Sequence, residues 1–144
     1  MRLLLLFSLR AMSHHVISVS PIATLDPSDP FATKFSVSNE GSLAIKDVRL
    51  SCLANAKAKT AEGGRMEMMD STSYMGNIGN LAANDKATAR CNIRIKINEW
   101  LTGDMLVTVE YSPSFYPWRQ TRKFRFVGER GSDDVLHWFQ QPAS

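Results

Sequence analysis

The chain has 144 residues, enough for one domain and too few for two comfortable ones. Hydrophobic residues make up 44% and charged residues 22%, which excludes a globally disordered chain. The net charge of +3 is mild, and its Lys and Arg residues are scattered rather than gathered on one face, so nucleic acid is not an expected partner.

The sequence opens Met-Arg-Leu-Leu-Leu-Leu-Phe-Ser-Leu. Residues 3–7 are continuously apolar, Leu9 extends the run and Arg10 interrupts it. A membrane span needs about 20 apolar residues and a secretory signal an apolar region of roughly 7–15, so the run falls far short of the first and barely reaches the second. Ala11-Met12-Ser13 fits a small-x-small cleavage site. Three readings stay open: a short export signal or remnant of an anchor, the truncated start of a longer anchor, or a first strand or tail of a cytoplasmic protein. The first two place everything after residue 13 outside the cytoplasm. We divide the chain into a signal or truncated anchor at 1–13, a sandwich domain at 14–128 and a C-terminal tail at 129–144.

From residue 16 the hydrophobic pattern has period 2, the signature of half-buried strands. Val16–Pro21 places Ile17 and Val19 on one face. Two Asp-Pro steps in Leu25–Pro30 are turn chemistry. In Phe31–Val37, alternate residues Phe31, Thr33, Phe35 and Val37 share a face, and Asn39-Glu40-Gly41 ends the strand with residues that tolerate positive φ. Lys46–Ala54 puts Val48, Leu50, Cys52 and Ala54 inward against Asp47, Arg49 and Ser51. Residues 55–80 lose the pattern and read as a long connection with one or two short edge strands.

Asn84-Asp85 marks a turn. Ala87–Ile97 is the clearest strand, with Cys91, Ile93, Ile95 and Ile97 on the inward face. Met105, Val107, Val109 and Tyr111 alternate with Leu106, Thr108 and Glu110, and Ser112–Trp118 is a Pro- and aromatic-rich loop. Arg119–Val127 is the last strong strand, with Phe124 and Phe126 inward, and the apolar stretch Val135–Trp138 is expected to pack back on the sandwich or on a partner. One buried and one solvated face per strand, with frequent turns, predicts an all-β, immunoglobulin-like antiparallel sandwich of about seven strands.

Phe35–Gly41 followed by Lys46–Leu50 resembles the opening half of CARDB-type and related bacterial immunoglobulin-like domains, in which a strand ends in Asn-x-Gly and the next begins near a Val. Leu81–Thr88 is similar to their Leu-x-Pro-Gly-Glu turn, with Asn84 and Asp85 at the Gly and Glu positions, and Gly103–Tyr111 resembles their penultimate strand. The Leu-Asp-Pro-x-Asp-Pro-Phe entry and the Ser-Phe-Tyr-Pro-Trp-Arg loop also look like those of small bacterial proteins with an N-terminal membrane anchor. The likeness implies an outward-facing, membrane-tethered domain and supplies no catalytic residue.

Cys52 and Cys91 both fall on inward faces, where they fit either a disulfide between strands or two buried thiols. Arg119, Arg122, Lys123 and Arg125, beside Phe115, Tyr116 and Trp118, form the one basic-aromatic cluster. Arg and aromatic side chains are favoured at interfaces. The plainer alternative is a solvated strand face beside a loop that Trp118 anchors in the core. Tyr116, Trp118, Arg119, Arg122 and Trp138 are the expected contact residues. His14, His15 and His137 with Met66, Met68, Met69 and Met75 have the ligand types of a copper site, though not the spacing of a known one. No Gly-x-Ser-x-Gly, phosphate loop or dinucleotide fingerprint occurs.

These features predict a non-enzymatic binding or structural module without a cofactor, outside the cytoplasm and tied to a membrane through its N-terminus. Its expected partner is another protein or envelope component, and the sequence identifies no small-molecule substrate. The alternative is a periplasmic metal-handling sandwich using His and Met.

Overall fold

The computed structural model describes residues 17–22, 31, 33–59, 65–91, 99–115, 117–133 and 136–142. They form eight strands: β1 (Ile17–Pro21), β2 (Lys34–Asn39), β3 (Ile45–Lys59), β4 (Arg65–Leu81), β5 (Lys86–Arg90), β6 (Glu99–Pro113), β7 (Gln120–Arg130) and β8 (Leu136–Gln141). β1, β2 and β5 make one sheet in the order β1-β2-β5, and the other runs β4-β3-β6-β7-β8. Every pairing is antiparallel. In immunoglobulin lettering the first sheet takes the places A-B-E and the second C′-C-F-G, with β8 added beyond G.

Alternation explains which side chains meet between the sheets. The small sheet contributes Ile17, Val19, Phe35 and Val37. The large sheet contributes Val48, Leu50, Cys52, Met105, Val107, Val109, Phe124 and Phe126. Phe35 tilts against Phe126 across the gap, ring centres 5.0 Å apart, a spacing at which aromatic pairs attract beyond their area. Phe31, just before β2, closes one side against Trp138 at 5.6 Å.

Three differences from the sequence expectation have physical causes. β3 continues past Ala54, through the buried Ala56 to Lys59, and pairs with a β4 of 17 residues, so much of 55–80 is a long hairpin rather than a loop. Alanine and the Ser, Thr and Gly residues of β4 carry too little hydrophobic contrast for a period-2 pattern to show. Second, the sandwich runs past residue 128: β7 reaches Arg130 and β8 adds an edge strand from the supposed tail. Third, Ile93, Ile95 and Ile97 of the expected Ala87–Ile97 strand lie outside the described residues, and β5 spans only Lys86–Arg90.

β8 is held by a glycine pair. Gly103 and Gly128 are register partners on β6 and β7. A Cβ on Gly103 would lie 2.7 Å from Cη2 of Trp138, and one on Gly128 2.8 Å from Cδ2 of Leu136. The missing side chains make the hollow that receives Trp138 and Leu136. Gly128→Ala should therefore cost about 1–3 kcal/mol of stability by overpacking. Thermal unfolding would read this as a fall in Tm, and an unchanged Tm would mean that β8 shifts freely.

Candidate functional site

One end of the sandwich carries the site. There β2 ends, β3 begins, β4 ends and β6 turns into β7. Asn39 holds these pieces together. Its side chain is fully buried, and its amide nitrogen donates to the carbonyls of Leu43 (3.0 Å), Leu81 (3.2 Å) and Ala82 (3.1 Å). Its amide oxygen accepts the Gly41 N–H at 3.0 Å, a pattern that fixes which way the amide points. The Asn39 backbone also pairs with the next turn, donating to Asp85 and accepting from Asn84. The expectation for this segment was backbone permissiveness, but the positive φ values among the described non-glycine residues belong to Asp47 and Asn84. Asn39 ends the strand through its side chain.

Asp47 is the second organising residue. It sits at φ 52°, where the pairing of β3 with both neighbours slips between Ile45 and Arg49. Such a bulge re-aims side chains. The Asp47 carboxylate accepts from Arg119 at 2.9 Å, from Arg49 at 3.2 Å and from Asn77 at 3.3 Å. Its carbonyl accepts a further hydrogen bond from Arg119 at 3.1 Å, and its N–H donates to Asn80 at 3.1 Å. Arg119 is thereby fixed at the exit of the β6–β7 loop. The other side of that loop is tied by the Ser114 N–H donating to Ala44 at 3.2 Å.

Between these two ties the loop presents its aromatics to solvent. Phe115 is 71% exposed and Trp118 64%, and Leu43 on the neighbouring loop is 46% exposed. Trp118 is therefore not an interior anchor. Tyr116 lies outside the described residues.

The basic cluster divides by alternation. Arg122 faces inward beside the opening between the sheets, its guanidinium 5.9 Å from the Phe124 ring centre. Lys123 and Arg125 face outward, and Arg125 binds Asp104 through both nitrogens of its fork. Arg119 alone of the four is locked to the loop end by the bulge. Tyr111, buried near Arg122, has its hydroxyl pKa raised by burial, with Arg122 opposing the rise.

Trp138, expected as a contact residue, is instead part of the interior at 6% exposed, tilted against Phe31 over the glycine pair. Of the two expectations for the apolar stretch Val135–Trp138, packing on the sandwich or on a partner, Trp138 meets the first. Cys52 on β3 and Cys91 just past β5 form a disulfide that links the two sheets. In immunoglobulin lettering it joins C to the residue after E, not B to F as in antibody domains.

His137 pairs with Asp133 at 2.8 Å, and among the described residues no three His, Cys, Asp or Glu side chains gather as metal ligands would. His14 and His15 lie outside the described residues.

Comparison with models of known protein families, with curated proteins and with solved structures finds no match. The site thus rests on its geometry alone. Sequence reasoning singled out Trp118 and Arg119 as contact residues and Phe115 as their neighbour in the cluster, and did not single out Asp47, Leu43 or the tying role of Asn39. The bulge had one legible signal: Ile45 and Val48 are both buried, three apart, which a regular strand forbids.

Asp47 offers a local test. Asp47→Ala would keep the positive φ, remove the side chain that suits it and release Arg119, for a cost of about 1–2 kcal/mol. Asp47→Asn keeps the side-chain shape and tolerance of positive φ, so about half that loss or less is expected. Equal losses in urea unfolding would mean that charge, not backbone geometry, sets the bulge.

Proposed function

We propose that this chain is a non-enzymatic binding module that works outside the cytoplasm, associated with a membrane, and that meets its partner through the loop end built on Asn39, Asp47 and Arg119. The observation that carries the reading is the β6–β7 loop. It is tied on both sides, yet it presents two large aromatic side chains to solvent. Displaying Phe115 and Trp118 in water brings no folding benefit, whereas rigid aromatics with an adjacent Arg are the usual anchors of an interface. Restraint by Asp47 and Ser114 lowers the entropy lost on contact.

The compartment follows from chemistry. A disulfide between sheets persists in oxidising surroundings. The apolar run at residues 3–7 supports export or tethering. The likeness of Phe35–Leu50 and Leu81–Thr88 to CARDB-type domains points the same way. The partner class is another protein or an envelope component.

The test uses two variants of the full chain. Phe115→Ser and Trp118→Ser should leave unfolding within about 0.5 kcal/mol of the parent, since both sites are exposed. The same changes should reduce recovery of the chain with the envelope fraction of its own cells. Recovery equal to the parent's, with the chain folded, would reject the loop end as the contact surface.

A further inference from the structure

The chain enters the sandwich at Ile17, whose register partner is Asn39 at the very end of β2. Ser18 Oγ donates to the Glu40 carboxylate at 3.0 Å one step further on. β1 therefore starts at the end of the sandwich that bears the exposed loop. The N-terminal segment of the sequence joins the described domain at Ile17, at the end that bears Leu43, Phe115 and Trp118. The longest apolar run of the sequence, residues 3–7 extended by Leu9, lies in that segment. From Leu9 to Ile17 an extended chain reaches at most about 29 Å. A bilayer that received the apolar run would be held within that distance of Ile17, at the end of the sandwich that bears the aromatic loop.

The surface at this end suits such a neighbour. Among the described residues its exposed apolar bulk is Leu43, Phe115 and Trp118. The two arginines beside it are balanced by two carboxylates: Asp47 takes Arg49 and Arg119, and Glu110 lies 3.8 Å from Arg119. Trp is favoured at the membrane–water interface, where the ring sits at headgroup level. The β7–β8 turn at the opposite end offers no such tip: its described residues, Glu129–Asp133, are exposed and are polar or Gly.

We propose that Phe115 and Trp118 dip into the interfacial layer of the bilayer that receives the N-terminal segment, so that the sandwich stands on the membrane by its β6–β7 loop. The inference rests on the membrane-associated reading above and names the partner of the same surface. Because Asp47 and Glu110 balance Arg49 and Arg119, binding depends little on salt, unlike that of a polybasic patch.

The experiment is quenching of Trp118 emission by brominated phosphatidylcholine vesicles. It uses the full chain and Trp118→Phe, whose difference isolates Trp118. Flotation of the same samples reads attachment, and a Phe115→Ser/Trp118→Ser variant reads the loop's share of it. The expected result is quenching of the Trp118 component in 0.1 M and 0.5 M salt, with vesicle affinity of the double variant lower by about tenfold from the lost aromatic burial. A chain that floats with unquenched Trp118 overturns the inference while leaving the binding module standing, its loop then facing a protein partner. A chain that neither floats nor quenches overturns the membrane-associated reading as well.

Discussion

Asn39→Ala is expected to lower the free energy of unfolding by about 3–5 kcal/mol, the largest loss we expect from any single polar side chain in this domain. The side chain makes three donor contacts and accepts one hydrogen bond, all to backbone. Each such bond contributes only about 1 kcal/mol net, because water competes for the same groups in the unfolded chain. The larger part of the loss comes from what is left behind. The Leu81 carbonyl is contacted in a buried setting, and an alanine would leave it without that donor. The damage would spread, since Asn39 ties β2 to the 41–44 loop and to the end of β4 at once. Asn39→Asp should be nearly as harmful, because a carboxylate cannot donate to three carbonyls and would be buried as a charge. Glu40→Ala, next door but exposed, should stay within about 0.5 kcal/mol. Urea unfolding checks all three; a loss below about 1 kcal/mol for Asn39→Ala would show that other contacts hold the loops.

Removing the disulfide, as Cys52→Ala/Cys91→Ala or by reduction, should cost about 4 kcal/mol. The bridge closes a loop across a sequence separation of 39 and joins the two sheets directly. The chain-entropy account assigns most of the effect to the unfolded state, which gains freedom once the loop opens. Both cysteines are buried in the interior, so truncation to Ala adds a small packing loss. A domain of this size has only about 5–15 kcal/mol in hand. The reduced form would therefore be marginal, which ties correct folding to an oxidising compartment. Unfolding with and without reductant, on the same preparation, is the check: coincident midpoints would remove the disulfide as a source of stability and weaken the extracytoplasmic reading.

Much of the fold was legible because burial on one face imposes period 2. Phe31, Thr33, Phe35 and Val37 read as one face, and all four are buried; so do Val48, Leu50 and Cys52, and Met105 through Tyr111. Legibility failed where the apolar contrast was weak, at Ala56 and the small residues of β4. It failed again where glycine packing rather than hydrophobicity decided the outcome. Nothing local to Trp138 announces that Gly103 and Gly128 leave it a hollow. The site was half visible for a related reason. Aromatic residues between Ser112 and Arg119 are conspicuous in composition, so Phe115 and Trp118 stood out. The residues that hold them in place act over long separations: Asp47 reaches Arg119, and Asn39 reaches Leu81 and Ala82. No window of neighbouring residues contains that information.

The contact role of the loop end can be tested most directly with a photo-reactive phenylalanine analogue placed at Phe115 of the full chain in its own cells. A matched probe at Thr88, exposed on the outer face of β5, serves as the reference. The account predicts strong covalent capture of lipid or of a defined envelope protein from position 115, and little from position 88. Equal, weak labelling from both positions would contradict it.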